Sequence, residues 1–277
     1  MSLRFTKMQG IGNDFVVLDR RDASGPLSAD LARRLADRHF GVGCDQVMTI
    51  ERSDDAVHAF RYGIYNADGS RAGQCGNGLR CVARWLADRG LVNGSGVRLL
   101  GPGGSVRVDV LDDGRVRADM GTPVFDASRV PLLSGSTQPR YALELDGQRI
   151  VFGAVSMGNP HAVVAVDDVD AAPVAALGAR IETHAMFPDR VNVGFVQVLD
   201  RGRVRLRVFE RGVGETMACG SGACAAVAVL RTWDRVDADV RVALPGGMLD
   251  ISWAGSGHPV WMTGPATTVF EGEWNDE

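Results

Sequence analysis

The chain has 277 residues, with 30 basic against 34 acidic side chains and a formal net charge of −4. Hydrophobic residues at 45% and charged ones at 23% exclude wholesale disorder, and the length suits one large domain or two of ordinary size. A mildly acidic chain without a basic block is a poor nucleic-acid binder, and the longest apolar uncharged run near the C-terminal half, Thr216 to Leu230, falls short of the roughly 20 residues a spanning helix needs.

The N-terminus, Met-Ser-Leu-Arg-Phe-Thr-Lys, has no apolar stretch of the secretory kind, so a cytoplasmic protein with no membrane partner is expected. Lys7 ends the first predicted strand and is the only lysine beside 29 arginines. A pyridoxal enzyme needs a lysine for its Schiff base, and this placement argues against such a cofactor. Ser28 can cap a helix running to about His39, with Leu31 and Leu35 one turn apart and Gly41 beyond its end. Gly41-Val42-Gly43 lacks the third glycine of a dinucleotide fingerprint. A second helix is predicted from about Gly78 to Arg89, stopping at Gly90, with Arg80, Arg84 and Asp88 as its polar stripe. Val106, Val108 and Val110, then Asp112-Asp113-Gly114, then Val116 and Ala118 read as a hairpin. Val204, Leu206 and Val208 alternate with Arg203, Arg205 and Arg207, a strand whose charged face reads as solvated. The last helix, from about Gly222 to Thr232, carries no charge as far as Leu230 and should be buried on all sides.

Two of these helices follow similar turns. Gln74-Cys75-Gly76-Asn77-Gly78 precedes one and Ala218-Cys219-Gly220-Ser221-Gly222 the other, 144 residues on. At nearly the same offset, Gly12-Asn13 matches Gly158-Asn159 and Pro102-Gly103-Gly104 matches Pro245-Gly246-Gly247. Met120-Gly-Thr-Pro is echoed by Met262-Thr-Gly-Pro. These ordered matches indicate an internal duplication. The fold expected is α/β (α+β), with two pseudo-symmetric domains and an active site in the cleft between them. The echoes place the domains at 1–119 plus 263–277 and at 120–262, the first being discontinuous.

The five cysteines are odd in number and form no CxxC, and the scattered histidines give no metal-ligand spacing, so neither a disulfide framework nor a metal site is expected. Cys44, Cys81 and Cys224 read as buried apolar residues. Cys75 and Cys219 differ. Each stands just before a helix, where converging N–H groups and the helix dipole bind a carboxylate and favour a thiolate. Two such sites suit a cofactor-free epimerase: one thiolate removes an α-proton and the opposite thiol protonates the other face.

On these residues the sequence resembles the diaminopimelate epimerases. The resemblance spans nearly the whole chain and rests on Gly10-Ile11-Gly12-Asn13-Asp14-Phe15, Tyr65-Asn66-Ala67-Asp68-Gly69-Ser70, Cys75 through Cys81, Gly158-Asn159-Pro160-His161, and Glu210-Arg211-Gly212 through Gly222. It implies two domains, each a mixed sheet wrapped around a central helix, and interconversion of LL- and meso-diaminopimelate without cofactor or metal, on the route to lysine and peptidoglycan. Cys75 and Cys219 become the acid/base pair, assisted by His161 and Glu210. Gly76-Asn77 and Gly220-Ser221 would cradle the reacting carboxylate. Asn13, Gln46, Asn66, Asn159, Asn192, Glu210 and Arg211 would contact the rest of the substrate, with Arg211 suited to a second carboxylate. A homodimer follows by family analogy only. Two other readings compete: a racemase of proline or hydroxyproline, against which Arg211 and the row of asparagines argue, and a redox protein with a reversible Cys75–Cys219 disulfide, which would leave those residues without purpose.

Overall fold

The computed structural model describes residues 2–275; Met1, Asp276 and Glu277, which fall within the expected first domain, lie outside the described residues. The chain divides into two compact units, Met1–Asp119 with Thr263–Glu277, and Met120–Met262.

In the first unit, β1 (Ser2–Gly10) and β2 (Asn13–Asp19) form a hairpin in which Gly10 faces Asn13. Both turn residues, Ile11 at φ 50 and Gly12 at φ 87, are left-handed, which suits the twist of a two-residue hairpin. Helix α1 (Ala29–Ala36) leads to β3 (Gln46–Arg52), parallel to β2, and β4 (Phe60–Asn66) returns antiparallel. Helix α2 (Gly76–Asp88) crosses to β5 (Val97–Gly101), parallel to β4. Hairpins then add β6 (Gly104–Val110) and β7 (Val116–Asp119).

The second unit opens with the hairpin of β8 (Tyr141–Leu145) and β9 (Gln148–Ser156), followed by β10 (Pro160–Ala165), antiparallel to β9. Helix α3 (Val174–Glu182) leads to β11 (Asn192–Asp200), parallel to β10, and β12 (Arg203–Glu210) returns antiparallel. After the short β13 (Gly214–Thr216), helix α4 (Gly220–Thr232) crosses to β14 (Asp239–Leu244), parallel to β12. Strands β15 (Gly247–Trp253) and β16 (Val260–Gly264) follow. Finally β17 (Thr267–Asn275) runs antiparallel to β1, giving the first unit a strand from the far end of the chain.

The two units share one plan, a parallel pair, an antiparallel return and a helical crossover to a second parallel pair. The correspondence extends to single residues. Gln46 is the parallel partner of Phe15 and lies opposite Asn66; Asn192 is the parallel partner of His161, and Phe209, next to Glu210, lies opposite Val193. The Pro-Gly-Gly echoes are two equivalent tight turns, pairing Gly101 with Gly104 and Leu244 with Gly247. This α+β architecture is the duplicated fold that the repeats imply.

Each unit is built around one helix. Helix α2 packs against β1, β2, β3, β6 and β7, and α4 against β9, β10, β11, β12 and β15. Every residue of α4 from Gly222 to Leu230 is buried, as the absence of charge requires. Helix α2 departs from expectation, because Arg80 is fully buried rather than part of a solvent stripe. It donates from Nη1 to Asn77 Oδ1 (3.0 Å) and from Nε to the Pro265 carbonyl (3.2 Å), and these acceptors offset the cost of burying a guanidinium. Both central helices also begin two residues earlier than predicted, each with its cysteine at the N-cap position, where only Cys75 accepts a capping hydrogen bond. Helix α1 ends at Ala36, short of His39, because Asp37 Oδ1 accepts from the N–H groups of His39 (2.7 Å) and Phe40 (2.8 Å) and turns the chain. The arginine face of β12 is tied up in ion pairs, Arg203 to Asp200 (2.7 Å), Arg205 to Asp170 (2.7 Å) and Arg207 to Glu215 (2.6 Å). Lys7 is buried against Asp14 (2.5 Å) and the Gly43 carbonyl.

Candidate active site

In the first unit, Cys75 is the N-cap of α2, and its sulfur accepts from the Gly78 N–H at 3.4 Å. The thiol donates toward Asn13 Oδ1 (3.9 Å), which also accepts from Asn77 Nδ2 (3.4 Å). Asn13 is held in that orientation because its Nδ2 donates to Asp45 (2.7 Å). Asp45 in turn accepts from Arg38 (2.7 Å), which also binds Asp14 (2.8 Å). Burial pushes the Asp14 carboxyl up, but hydrogen bonds from Arg38 and Lys7 outweigh it and hold the group well below the usual carboxylate range. Gln46 donates to Asn66 Oδ1 (2.9 Å), and Asn66 donates to Ser70 Oγ (3.0 Å). Gln46 Oε1 is buried with no protein partner, an acceptor available to a bound donor.

In the second unit, Cys219 stands at the N-cap position of α4 and is 4% exposed. Burial pushes its thiol well above the ordinary value, and the Glu210 carboxylate adds to this, against the opposing pull of Ser221 and the Gly222 N–H. Ser221 Oγ lies 3.6 Å from Cys219 Sγ and 3.1 Å from His161 Nε2. His161 Nε2 is also 3.0 Å from Asn159 Oδ1, and Asn159 Nδ2 is 3.5 Å from Ser221 Oγ. Burial and the nearby Arg211 charge lower the His161 imidazole to about 3, so the ring is neutral at physiological pH. With its proton on Nε2, the ring donates to the acceptor-only Asn159 oxygen; Asn159 donates to Ser221, and the serine O–H is free to face the Cys219 sulfur. Ser221 therefore stands between His161 and the thiol.

Glu210 ends β12, where Thr216 Oγ1 donates to its Oε1 at 2.5 Å. Asn192 is buried, donating to the Pro160 carbonyl (2.9 Å) and accepting from the Arg211 N–H (3.0 Å). The Arg211 guanidinium donates to the Asp189 carbonyl at 3.0 Å. Asn13 and Asn77 join Cys75 at the starts of β2 and α2, with Gly76 next in the chain, while Gln46 and Asn66 bind each other across the ends of β3 and β4. Asn159, His161, Asn192, Glu210, Arg211, Gly220 and Ser221 gather with Cys219 at equivalent places in the second unit. Asp45, Ser70, Arg80 and Thr216 were not singled out as site residues from the sequence. Thr216 lies three residues before Cys219 and Asp45 beside Gln46, but neither follows a motif spacing that would mark it. Cys44 and Cys81 are pushed up to about 12 by burial, as apolar core thiols are.

The model of the diaminopimelate epimerase family matches residues 5–125 and 153–269. A diaminopimelate epimerase from Xanthomonas euvesicatoria pv. vesicatoria is 58% identical over 276 residues, spanning 99% of this chain and 96% of that protein. One from Aromatoleum aromaticum is 54% identical over 273 residues, 99% of each chain. Among solved structures, a hydroxyproline epimerase from Agrobacterium vitis with bound trans-4-hydroxy-L-proline gives a TM-score of 0.69 at 18% identity, over 98% of this chain and 92% of that one. A PhzF-family phenazine biosynthesis protein from Bacillus anthracis gives 0.68 at 15% identity over the whole of both. At such identities these two structures speak to the fold alone.

Proposed function

The chain belongs to the diaminopimelate epimerase family, and from that membership we propose that it interconverts LL- and meso-diaminopimelate by a two-thiol exchange of the α-proton. As a member of that family the enzyme is an isomerase, and the reading sets it on the lysine and peptidoglycan-precursor route. The observation that carries the mechanism is that Cys75 and Cys219 each stand at the N-cap position of the central helix of a duplicated unit and each sits among side-chain amides or hydroxyls.

Inversion requires a base on one face of the α-carbon and an acid on the other, and the two thiols supply them. Burial and Glu210 keep Cys219 protonated at rest, so it is the donor in one direction of turnover. Cys75, as thiolate, takes the α-proton. The Cα–H bond breaks as the Cys75 S–H bond forms, and a new Cα–H bond forms from the Cys219 proton on the opposite face. The enzyme is left with Cys75 as thiol and Cys219 as thiolate, the pair that runs the reverse direction. The thiolate formed at Cys219 receives the Ser221 O–H, which the neutral His161 and Asn159 hold in place. The N–H groups at the starts of α2 and α4, from Gly76-Asn77 and Gly220-Ser221, meet the negative charge that grows on the substrate carboxylate. Gln46 Oε1, buried without a partner, suits a substrate ammonium, and the Arg211 fork suits the distal carboxylate. No cofactor enters this scheme.

Among the described residues, no helix is long and apolar enough to cross a membrane. By family analogy the reading extends to a cytoplasmic enzyme acting as a homodimer. Sedimentation should then give twice the chain mass; a monomer that turns over fully would remove the dimer from the scheme.

Proton NMR of LL-diaminopimelate in D₂O with reduced enzyme, and no added pyridoxal or metal, tests the activity. The α-proton signal should vanish as the meso isomer appears, and Cys75→Ala and Cys219→Ala should each abolish this. A folded, reduced protein that exchanges no α-proton would reject the substrate. Normal turnover in either alanine variant would reject the two-thiol mechanism.

A further inference from the structure

Glu182 is the last residue of α3, and its side chain is only 8% exposed. Two penalties oppose a carboxylate there. Burial removes it from water, and the C-terminal end of a helix carries partial negative charge. A group so placed needs partners that compensate for both. Its Oε1 accepts from the Gly212 N–H at 2.7 Å, a short charge-assisted bond, and the Arg190 guanidinium lies 3.7 Å away.

Gly212 belongs to the turn that presents Arg211. The Val213 N–H donates to the Glu210 carbonyl (3.1 Å) and closes Glu210–Val213, with Gly212 left-handed at φ 74 in its third position. Successive N–H groups of this turn are held by side-chain oxygens: that of Arg211 by Asn192 Oδ1 (3.0 Å) and that of Gly212 by Glu182. The two peptides that flank the Arg211 α-carbon are therefore each held by a side chain, the preceding one by Asn192 and the following one by Glu182. The segment Asp189-Arg190 completes the clamp, since the Asp189 carbonyl accepts from the Arg211 guanidinium (3.0 Å) while Arg190 neighbours the Glu182 carboxylate.

We infer that Glu182 is a positioning residue: by clamping the Gly212 amide it aims the Arg211 fork at the distal carboxylate of the substrate. The inference rests on the proposed role of Arg211. Glu182 touches no reacting atom and acts through the turn. Removing the clamp lets the Arg211–Gly212 peptide rotate, and a bidentate contact tolerates little misalignment.

Two readouts test this on the full-length enzyme, with Glu182→Ala and Glu182→Gln. The first needs no substrate. The Gly212 amide should be protected from hydrogen exchange in the native protein and in Glu182→Gln, whose Oε1 still accepts, and should exchange about ten-fold or more faster in Glu182→Ala. Equal exchange in all three overturns the clamp, whatever the enzyme acts on. The second is kinetic. Glu182→Ala should raise KM for diaminopimelate about ten-fold with a smaller change in kcat, Glu182→Gln should restore most of it, and in an Arg211→Ala background the Glu182 change should have no further effect. A full additional KM loss in that background would make Glu182 a structural residue unconnected with Arg211. If Glu182→Ala does not fold, Glu182→Leu, which keeps the bulk but offers no acceptor to the Gly212 N–H, carries the same readouts, and a native enzyme inert toward diaminopimelate would count against the substrate while leaving the exchange result to decide the clamp.

Discussion

His161 is held as a neutral ring, and that neutrality has a measurable cost. An unfolded chain binds a proton at the ordinary histidine value of 6.5, whereas the buried ring beside Arg211 binds one only near 3. Between those values the unfolded state holds more protons, so the His161 contribution is fully present above pH 6.5 and is lost as pH falls. Each pH unit inside that window is worth roughly 1.4 kcal/mol, so going from about pH 7 to about pH 5 should cost about 2 kcal/mol through this one residue. His161→Gln removes the titration, and its urea-unfolding free energy should fall less over the same interval by about that amount. Equal losses in the two proteins would mean that the ring is solvated or already charged. At this scale the sequence was informative where a residue stands in a motif and uninformative where tertiary contact decides. Cys75, Cys219 and the amides lie beside glycine turns whose purpose can be reasoned out. Asp45, which orients Asn13, and Arg80, which looks like a surface residue, acquire their roles only when β1, β2 and α2 pack together.

The paired glycines at the helix starts look equivalent in sequence but meet different neighbours. A methyl group on Gly78 would come within 2.8 Å of Met48 Sδ and 3.1 Å of Phe15 on the sheet below. One on Gly222 would stand 3.0 Å from Val208 and 3.2 Å from Cys219 Sγ itself. The first glycine serves close packing of helix on sheet; the second leaves room for Val208 and the Cys219 sulfur. Gly78→Ala should therefore act chiefly on stability, costing about 1–3 kcal/mol by overpacking. Gly222→Ala should act chiefly on kcat, by displacing the sulfur, with only a small change in melting temperature because alanine is the better helix former. Melting curves and kcat measured on both variants would separate the two, and unchanged turnover in Gly222→Ala would show that the thiol has space to spare. The elements themselves were readable wherever period and caps agreed, as in α4 and in the β6–β7 hairpin. The starts of α2 and α4 and the end of α1 lie beyond what period shows, because single residues set them: Cys75 and Cys219 at the N-caps, and Asp37 capturing two N–H groups.

At the scale of the whole chain, duplication explains the shared plan but not how each unit is completed. The second unit takes its outer strand β8 from its own beginning, next to β9. The first takes β17 from the end of the chain, where Ser2 pairs with Asn275 and Gln9 with Thr267. The echoed Met-Gly-Thr-Pro and Met-Thr-Gly-Pro segments hint at such a return, but which strand receives it depends on pairing that no local pattern encodes. The order of folding follows from this asymmetry. The ladders that join β8 through β15 all lie within residues 120–262, whereas β1 waits for the last residues to be made, and contacts of such sequence separation close slowly. Deleting everything from Thr267 onward should strip β1 of its ladder and remove Phe270 from Phe5 (5.8 Å) and Glu271 from Arg89. In hydrogen exchange, β1 and β2 of the truncated protein should then lose protection while β10, β11 and β12 keep theirs, since none of the latter pairs with the deleted strand. A uniform loss across both sets would mean that the units unfold as one cooperative body, and unchanged protection of β1 would mean that β2 alone suffices to hold it.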